Sequence, residues 1–296
     1  MSKTETPLWL DDLSPGGTGQ GFYEKGLRHS FLHVRRARPQ LLVTFDNLSN
    51  VGDRSMGRLP WAYKFAADNH LNYLGVYAHV ANWYRAPELI ARLERLRDDG
   101  FFEGYERVVF TGSSMGAFAA LVFSGLAPGA HVLAFNPQTT LDPGKVPWEE
   151  RFANGRRQDW TLPYSDAAGA LGSAARVSVF YDPYFAPDHK HYQRIEGPNV
   201  TPFRCWFSNH KSAVFLRKIG GLKPVMEAGV FGEIDPAAFY RAYRERRRLP
   251  WYRGSLTAYF EKRGRVAMGQ RATQAFRRNL RLQREAEGAA APEAAE

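Results

Sequence analysis

Glu106 to Ser124 reads ERVVFTGSSMGAFAALVFS, and its interpretation decides the fold. An apolar, β-prone run ends at Thr111, a G-x-S-x-G follows from Gly112 to Gly116, and a stretch of small residues takes over at once. The five-residue pattern alone is weak, since it arises by chance in roughly one chain in ten. Its context is what carries weight. A strand entering and a helix leaving make a nucleophile elbow, in which the positions two before and two after the serine must lack bulk. Gly112 and Gly116 meet that need, while Ala117, Ala119 and Ala120 let the helix lie close to a sheet. Such a turn presents the Ser114 hydroxyl at the carboxyl end of a central strand. It also leaves the Met115 backbone N–H, at the helix start, facing the place where an oxyanion forms. The competing reading is a glycine-rich strand-to-helix turn with no chemistry, or one that binds phosphate. No lysine follows Gly116, and no G-x-x-x-x-G-K-[ST] occurs, which disfavours a nucleoside triphosphatase.

Outward from the elbow, apolar runs alternate with helical stretches. Leu41–Phe45, Tyr73–Tyr77, Val108–Thr111, Val132–Phe135, Val177–Tyr181 and Phe203–Phe207 read as buried strands, with an earlier strand around Ser30–Arg35 expected to take part in an edge hairpin. Pro60–Asp68, Ala86–Asp99 and Gly116–Gly125 read as helices, Leu89, Leu93 and Leu96 recurring on one face. This alternation predicts an α/β protein with a mainly parallel central sheet and helices on both faces. Residues 139–174 interrupt the rhythm with Pro143, Gly144, Pro147, Gly155 and Pro163 beside Trp148, Trp160 and Tyr164, an insertion that reads either as a cover over a site or as packed irregular structure. Beyond it, Pro236–Arg248 and Arg265–Glu287 read as helices. The expected division is a domain over 1–220, a helical basic appendage over 221–287 and a disordered tail over 288–296.

The elbow in this setting resembles the α/β-hydrolase superfamily, the resemblance spanning roughly Leu41 to Lys211. Within it, GSSMGAFAAL followed by VLAFNPQTTLD is most similar to bacterial hydrolase-like proteins associated with surface polysaccharide production. The resemblance implies a serine hydrolase with its acid and histidine after the serine in the chain. His210, in FSNHKSA just past the last expected strand, is the histidine in the right order to act as base. His189 and His191 fall two apart in a helical run, so they point to different faces and make a poor metal pair. For the acid, Asp182 lies at the carboxyl end of the Val177–Tyr181 strand and is favoured. Asp188, after Pro187, is the alternative and also fits a helix N-cap.

The second oxyanion donor should come from the loop after Phe45. Esterases that resemble this fold often carry His-Gly there, whereas this chain has Asp46-Asn47-Leu48-Ser49-Asn50. The backbone of Asn47 is the first choice, against Asn47 as a plain turn residue. Trp83 and Tyr84 are candidate substrate-binding rings at the site's rim, against simple packing at a helix start.

Composition bounds the rest. At 44% hydrophobic and 24% charged, the 296-residue chain has the make-up of a folded protein, and no run approaches the roughly 20 apolar residues of a membrane span. The amino terminus lacks a basic start and apolar centre, so cytoplasmic residence is expected. One cysteine, Cys205, excludes an internal disulfide and multi-thiolate metal sites, and reads as a core thiol. No cofactor or metal is expected. Between residues 241 and 284, thirteen arginines and one lysine face two glutamates, a local +12 that leaves −2 for the rest of a chain of net +10. That segment suggests a polyanionic partner, with a solvated helical face as the plainer reading. Two functions follow: a Ser-His-Asp hydrolase of acyl esters, its substrate an acylated carbohydrate or small-molecule ester, or an accessory protein, non-catalytic or acyl-transferring, that binds a polyanion.

Overall fold

A computed structural model describes residues 7–13, 20–53, 55, 57–195 and 197–289. By contacts the chain forms two compact units, Met1–Ala213 with Lys223–Ile234, and Val214–Leu222 with Asp235–Glu296.

The first unit is built on eight strands: β1 (Gly21–Glu24), β2 (His29–Val34), β3 (Gln40–Phe45), β4 (Asn72–Ala78), β5 (Arg107–Ser113), β6 (His131–Phe135), β7 (Arg176–Tyr181) and β8 (Val200–Arg204). They form one sheet in the order β1-β2-β4-β3-β5-β6-β7-β8, antiparallel from β1 to β4 and parallel from there on. This order, with helices between the parallel strands, is the α/β-hydrolase fold. Six of the expected strands are present, β1 was not anticipated, and β8 starts and ends three residues before the predicted Phe203–Phe207. The Cys205 N–H still donates to Tyr181 O at 2.7 Å, but the Ser208 N–H then turns back to Cys205 O.

Strands buried on both faces explain why the sequence shows continuous apolar runs rather than alternation. Every residue of β4 is buried, as is the middle of β5. One face carries Val43, Leu74, Phe110, Val132 and Val179 into a core shared with α3 (Pro87–Asp98) and α4 (Met115–Phe123). On the other, α2 (Tyr63–Asp68) sets Tyr63 edge-on against Tyr73. Further along that face, Leu133 lies against Gly229, where a Cβ would meet its side chain at 2.6 Å. Gly229 belongs to the helix Leu222–Phe231, and the Arg107 guanidinium donates to the carbonyls of Val230 and Gly232. These contacts hold residues 223–234 to the sheet.

The second unit contains the helices Pro236–Ala242, Pro250–Glu261 and Val266–Ala289, with a 3-10 stretch over Tyr243–Arg248. Pro250 starts a helix, since proline fits the first turn. Within this unit Phe239 stacks on Tyr243, Phe215 meets Trp251 edge-on, and Arg253 lies over Phe276. Arg241, Arg244, Arg248, Arg277 and Arg281 are exposed. The last helix runs through Ala289, into the expected tail, and residues 290–296 lie outside the described residues. Among the described residues no helix is long and apolar enough to cross a membrane.

Candidate active site

The elbow stands at the junction of β5 and α4. Ser114 has φ 54° and ψ −116°, a strained conformation for a residue with a side chain. The two glycines make it sterically feasible. A Cβ on Gly112 would lie 2.4 Å from the Gly116 carbonyl, and one on Gly116 would lie 2.3 Å from Phe45 O. The turn is therefore pressed against the end of β3 as well as against itself. The Ser114 N–H donates to Phe135 O at 2.9 Å, and Met115, first residue of α4, has a backbone N–H with no partner inside the helix.

His210 arrives on the loop after β8. That loop has left-handed residues at Phe207 (φ 64°) and Asn209 (φ 50°). Ser114 Oγ lies 2.8 Å from His210 Nε2, and His210 Nδ1 lies 2.7 and 2.9 Å from the two oxygens of Asp188. A carboxylate can only accept, so Nδ1 carries the proton and Nε2 is the accepting nitrogen that faces the serine hydroxyl.

The structure thus places the alternative acid, Asp188, against the ring, and not the favoured Asp182. Asp182 lies at the end of β7, but its carboxylate accepts the backbone N–H groups of Tyr184 at 3.0 Å and Asn209 at 2.8 Å. It anchors the residue next to His210 rather than the imidazole itself. Burial pushes its carboxyl up to about 6. Asp188 is not an N-cap either: the helix Ala186–Gln193 starts after Phe185, and Asp188 in its first turn is buried facing His210.

Behind Asp188 is a chain of charges that the sequence did not reveal. The Arg151 guanidinium, 3.3 Å from Asp188 Oδ1, also grips Glu149 and lies over the rings of Phe152 and Phe185. Glu149 Oε2 lies 3.1 Å from His191 Nε2, and the Thr139 N–H donates to His191 Nδ1 at 3.1 Å. Nδ1 is therefore the acceptor, and His191 is the neutral Nε2–H tautomer donating to Glu149; burial lowers its pKa. Burial opposes the charge on Glu149, but hydrogen bonds from Arg151 and His191 outweigh it and hold the carboxyl at about 2. Phe152 lies 5.8 Å from the His210 ring. The insertion thus supplies a wall of the site, through residues other than its tryptophans. Trp160 is buried against Phe118, and Trp148 packs on His191.

Three other expectations are corrected. The Asn47 N–H is engaged by Asn50 Oδ1 at 3.3 Å, and the Asn47 side chain accepts the Ser49 N–H, so Asn47 is a turn and cap residue. The preceding Asp46 is buried in an ion pair with Arg58 and fixes that loop. Trp83 and Tyr84 are 1% and 0% exposed and offer no face to a substrate. The Tyr84 hydroxyl donates to Asp46 O, and the Trp83 indole N–H donates to Gln138 Oε1 at 3.2 Å. Gln138 was not singled out from sequence. It follows β6 by three residues, at the same sheet edge as the elbow, and its Nε2 lies 3.1 Å from Ser114 Oγ and 3.1 Å from His210 Nε2. Cys205 is fully buried, a core thiol as expected. Among the described residues no cluster of three or more His, Cys, Asp or Glu could hold a metal ion. A cavity of about 480 Å³ lies elsewhere, lined by Trp9, Tyr23, Lys25, Tyr77 and His79 among others, and none of Ser114, His210 and Asp188 borders it.

The charge chain has a pH signature. Because the folded-state value of Glu149, about 2, lies below its ordinary 4.5, its stabilisation is present in full above pH 4.5 and is lost as pH falls toward 2. Urea unfolding of Glu149→Gln is expected to show a deficit against the wild type of up to about 3 kcal/mol at pH 7 that shrinks below pH 4.5. Parallel pH curves for the two proteins would contradict this.

No family model matches the chain, and no curated protein sequence does. Several solved structures align with it at low identity. The capsule O-acetyltransferase of Neisseria meningitidis serogroup A is 11% identical over 71% of this chain and 94% of its own, with a TM-score of 0.49. An esterase of Pyrococcus furiosus is 14% identical over 71% and 91%, with a TM-score of 0.47. A bacterial heroin esterase is 15% identical over 77% and 83%, with a TM-score of 0.43.

Proposed function

We propose that the protein is a serine hydrolase or acyltransferase acting on ester bonds, with Ser114 as nucleophile, His210 as base and Asp188 as the acid that orients it. The observation that carries this reading is the continuous line from Ser114 Oγ through the imidazole to Asp188, at 2.8 and 2.7 Å, on a strained elbow. Strain of that kind persists only where the surroundings enforce it, and here it serves to expose one hydroxyl to one base.

In the reaction, His210 Nε2 takes the Ser114 proton as Oγ bonds to the carbonyl carbon. The electron pair of the carbonyl moves onto its oxygen, which accepts the Met115 N–H. Asp188 stabilises the imidazolium through Nδ1–H. Collapse of the tetrahedral species breaks the bond to the leaving oxygen, which takes the proton from Nε2. Water or an acceptor hydroxyl then gives its proton to His210 and attacks the acyl-serine, and Oγ leaves and is reprotonated. An acylated carbohydrate is the favoured substrate on the sequence resemblance alone, since the tryptophans of the insertion are occupied in packing.

A fluorophosphonate probe is expected to label the wild-type protein and not Ser114→Ala, and p-nitrophenyl esters are expected to be cleaved best with short acyl chains. Equal labelling of both proteins, or of neither, would overturn the reading; a preference for long chains would redirect the substrate to lipids.

A second reading draws on the basic helices. Arg241, Arg244, Arg248, Arg277 and Arg281 are exposed, within a segment of local charge +12. That arrangement suits a polyanion held by charge without sequence specificity, whether or not the serine is active. Retention on heparin is expected to fall steeply between low and high salt. Absent or salt-independent retention would reduce these arginines to a solvated surface.

A further inference from the structure

Ser114 Oγ has a second neighbour besides the base. Gln138 is fully buried, and one end of its amide is fixed without ambiguity: an indole N–H can only donate, so the atom facing Trp83 Nε1 at 3.2 Å is the amide oxygen. The other end is then the NH₂ group, 3.1 Å from Ser114 Oγ. We propose that Gln138 is a catalytic residue, whose Nε2–H, aimed by Trp83, stabilises the negative charge that Ser114 Oγ carries as it attacks and as it is expelled from the acyl-enzyme.

Both partners are held rigidly for this purpose. On either side of Gln138, the Asn136 side chain accepts the Ser212 N–H and the Thr139 N–H donates to His191. Trp83 sits in the left-handed region at φ 51°, packed on Phe152 and on Gly155, where a Cβ would meet the indole at 2.5 Å. The insertion therefore reaches the nucleophile by two routes, Arg151 through Asp188 and His210, and Gly155 through Trp83 and Gln138. A donor aimed beforehand at an oxygen where charge develops does not have to reorganise during the reaction. When Oγ attacks, its proton goes to His210 and its electron pair forms the bond to carbon; in deacylation that bond breaks and the pair returns to Oγ. The Gln138 N–H stays in place through both steps and transfers nothing.

The proposal rests on the serine-hydrolase reading above, and the two are separable by experiment. The second-order rate of fluorophosphonate labelling at Ser114 is measured for the full-length wild type, Gln138→Ala, Gln138→Glu, Trp83→Phe and the double variant Gln138→Ala/Trp83→Phe, with thermal unfolding of each. Gln138→Ala is expected to slow labelling by about 100-fold. Trp83→Phe, which frees the amide to flip, is expected to cause a smaller loss and to add none in the Gln138→Ala background. Gln138→Glu fills the same space but presents an acceptor while ionised, so its deficit should narrow as pH falls and the carboxyl becomes a donor. Wild-type labelling that Gln138→Ala leaves unchanged, Trp83→Phe effects that add fully in the double variant, or a Gln138→Glu deficit independent of pH would each overturn the proposal. No labelling of the wild type would overturn the hydrolase reading and this proposal with it.

Discussion

The close approach of Gly116 to the carbonyl of Phe45 is the constraint on which the rest of the site depends. At 2.3 Å from a hypothetical Cβ, that carbonyl leaves room for glycine alone. The contact brings the start of α4 onto the end of β3, beside the positive φ at Ser114. Gly112 completes the constraint from the strand side. Everything that acts on the serine must come from loops at the same sheet edge, and the structure supplies three: the loop after β6 with Gln138, the start of the helix after β7 with Asp188, and the loop after β8 with His210.

Two aspartates at that edge divide the work. Asp188 faces the imidazole, while Asp182 ties down the backbone beside it, and each is almost wholly buried. Burying carboxylates is unfavourable unless donors surround them. Asp182 has backbone N–H groups and no cation in its hydrogen bonds, and its carboxyl is pushed up accordingly. Asp188 has His210 on one side and Arg151 on the other, and Arg151 is in turn balanced by Glu149.

The sheet and the elbow were legible in the sequence because local rules write them directly. Buried parallel strands need continuous apolar runs, and the turn at Ser114 needs glycines at fixed spacing. His210 was legible from chain order. The choice between Asp182 and Asp188 was not, because both follow the same strand and the decision lies in a turn of the backbone: Tyr184 and Asn209 claim one carboxylate before it can reach the ring. Trp83 and Tyr84 were misread for a related reason. Aromatic residues near a site look the same in sequence whether they face a ligand or the core, and only tertiary packing separates the cases. Gln138 and Arg151 carried no local signal at all, since each acquires its position through residues distant in the chain, Trp83 for the one and Asp188 for the other. The edge strand β1, short and half exposed, lacks the apolar run that marked the others.

The division between the two aspartates is the most direct point of test. Asp188→Asn and Asp182→Asn are compared in the turnover of a p-nitrophenyl ester, each with its unfolding free energy measured in urea. Asp188→Asn should lose about three to four orders of magnitude in kcat with little loss of stability, by the loss of the tautomer that a carboxylate enforces. Asp182→Asn should lose stability and keep kcat within about tenfold, since it touches the backbone and not the ring. The opposite order, with Asp182→Asn inactive and Asp188→Asn close to wild type, would contradict the account.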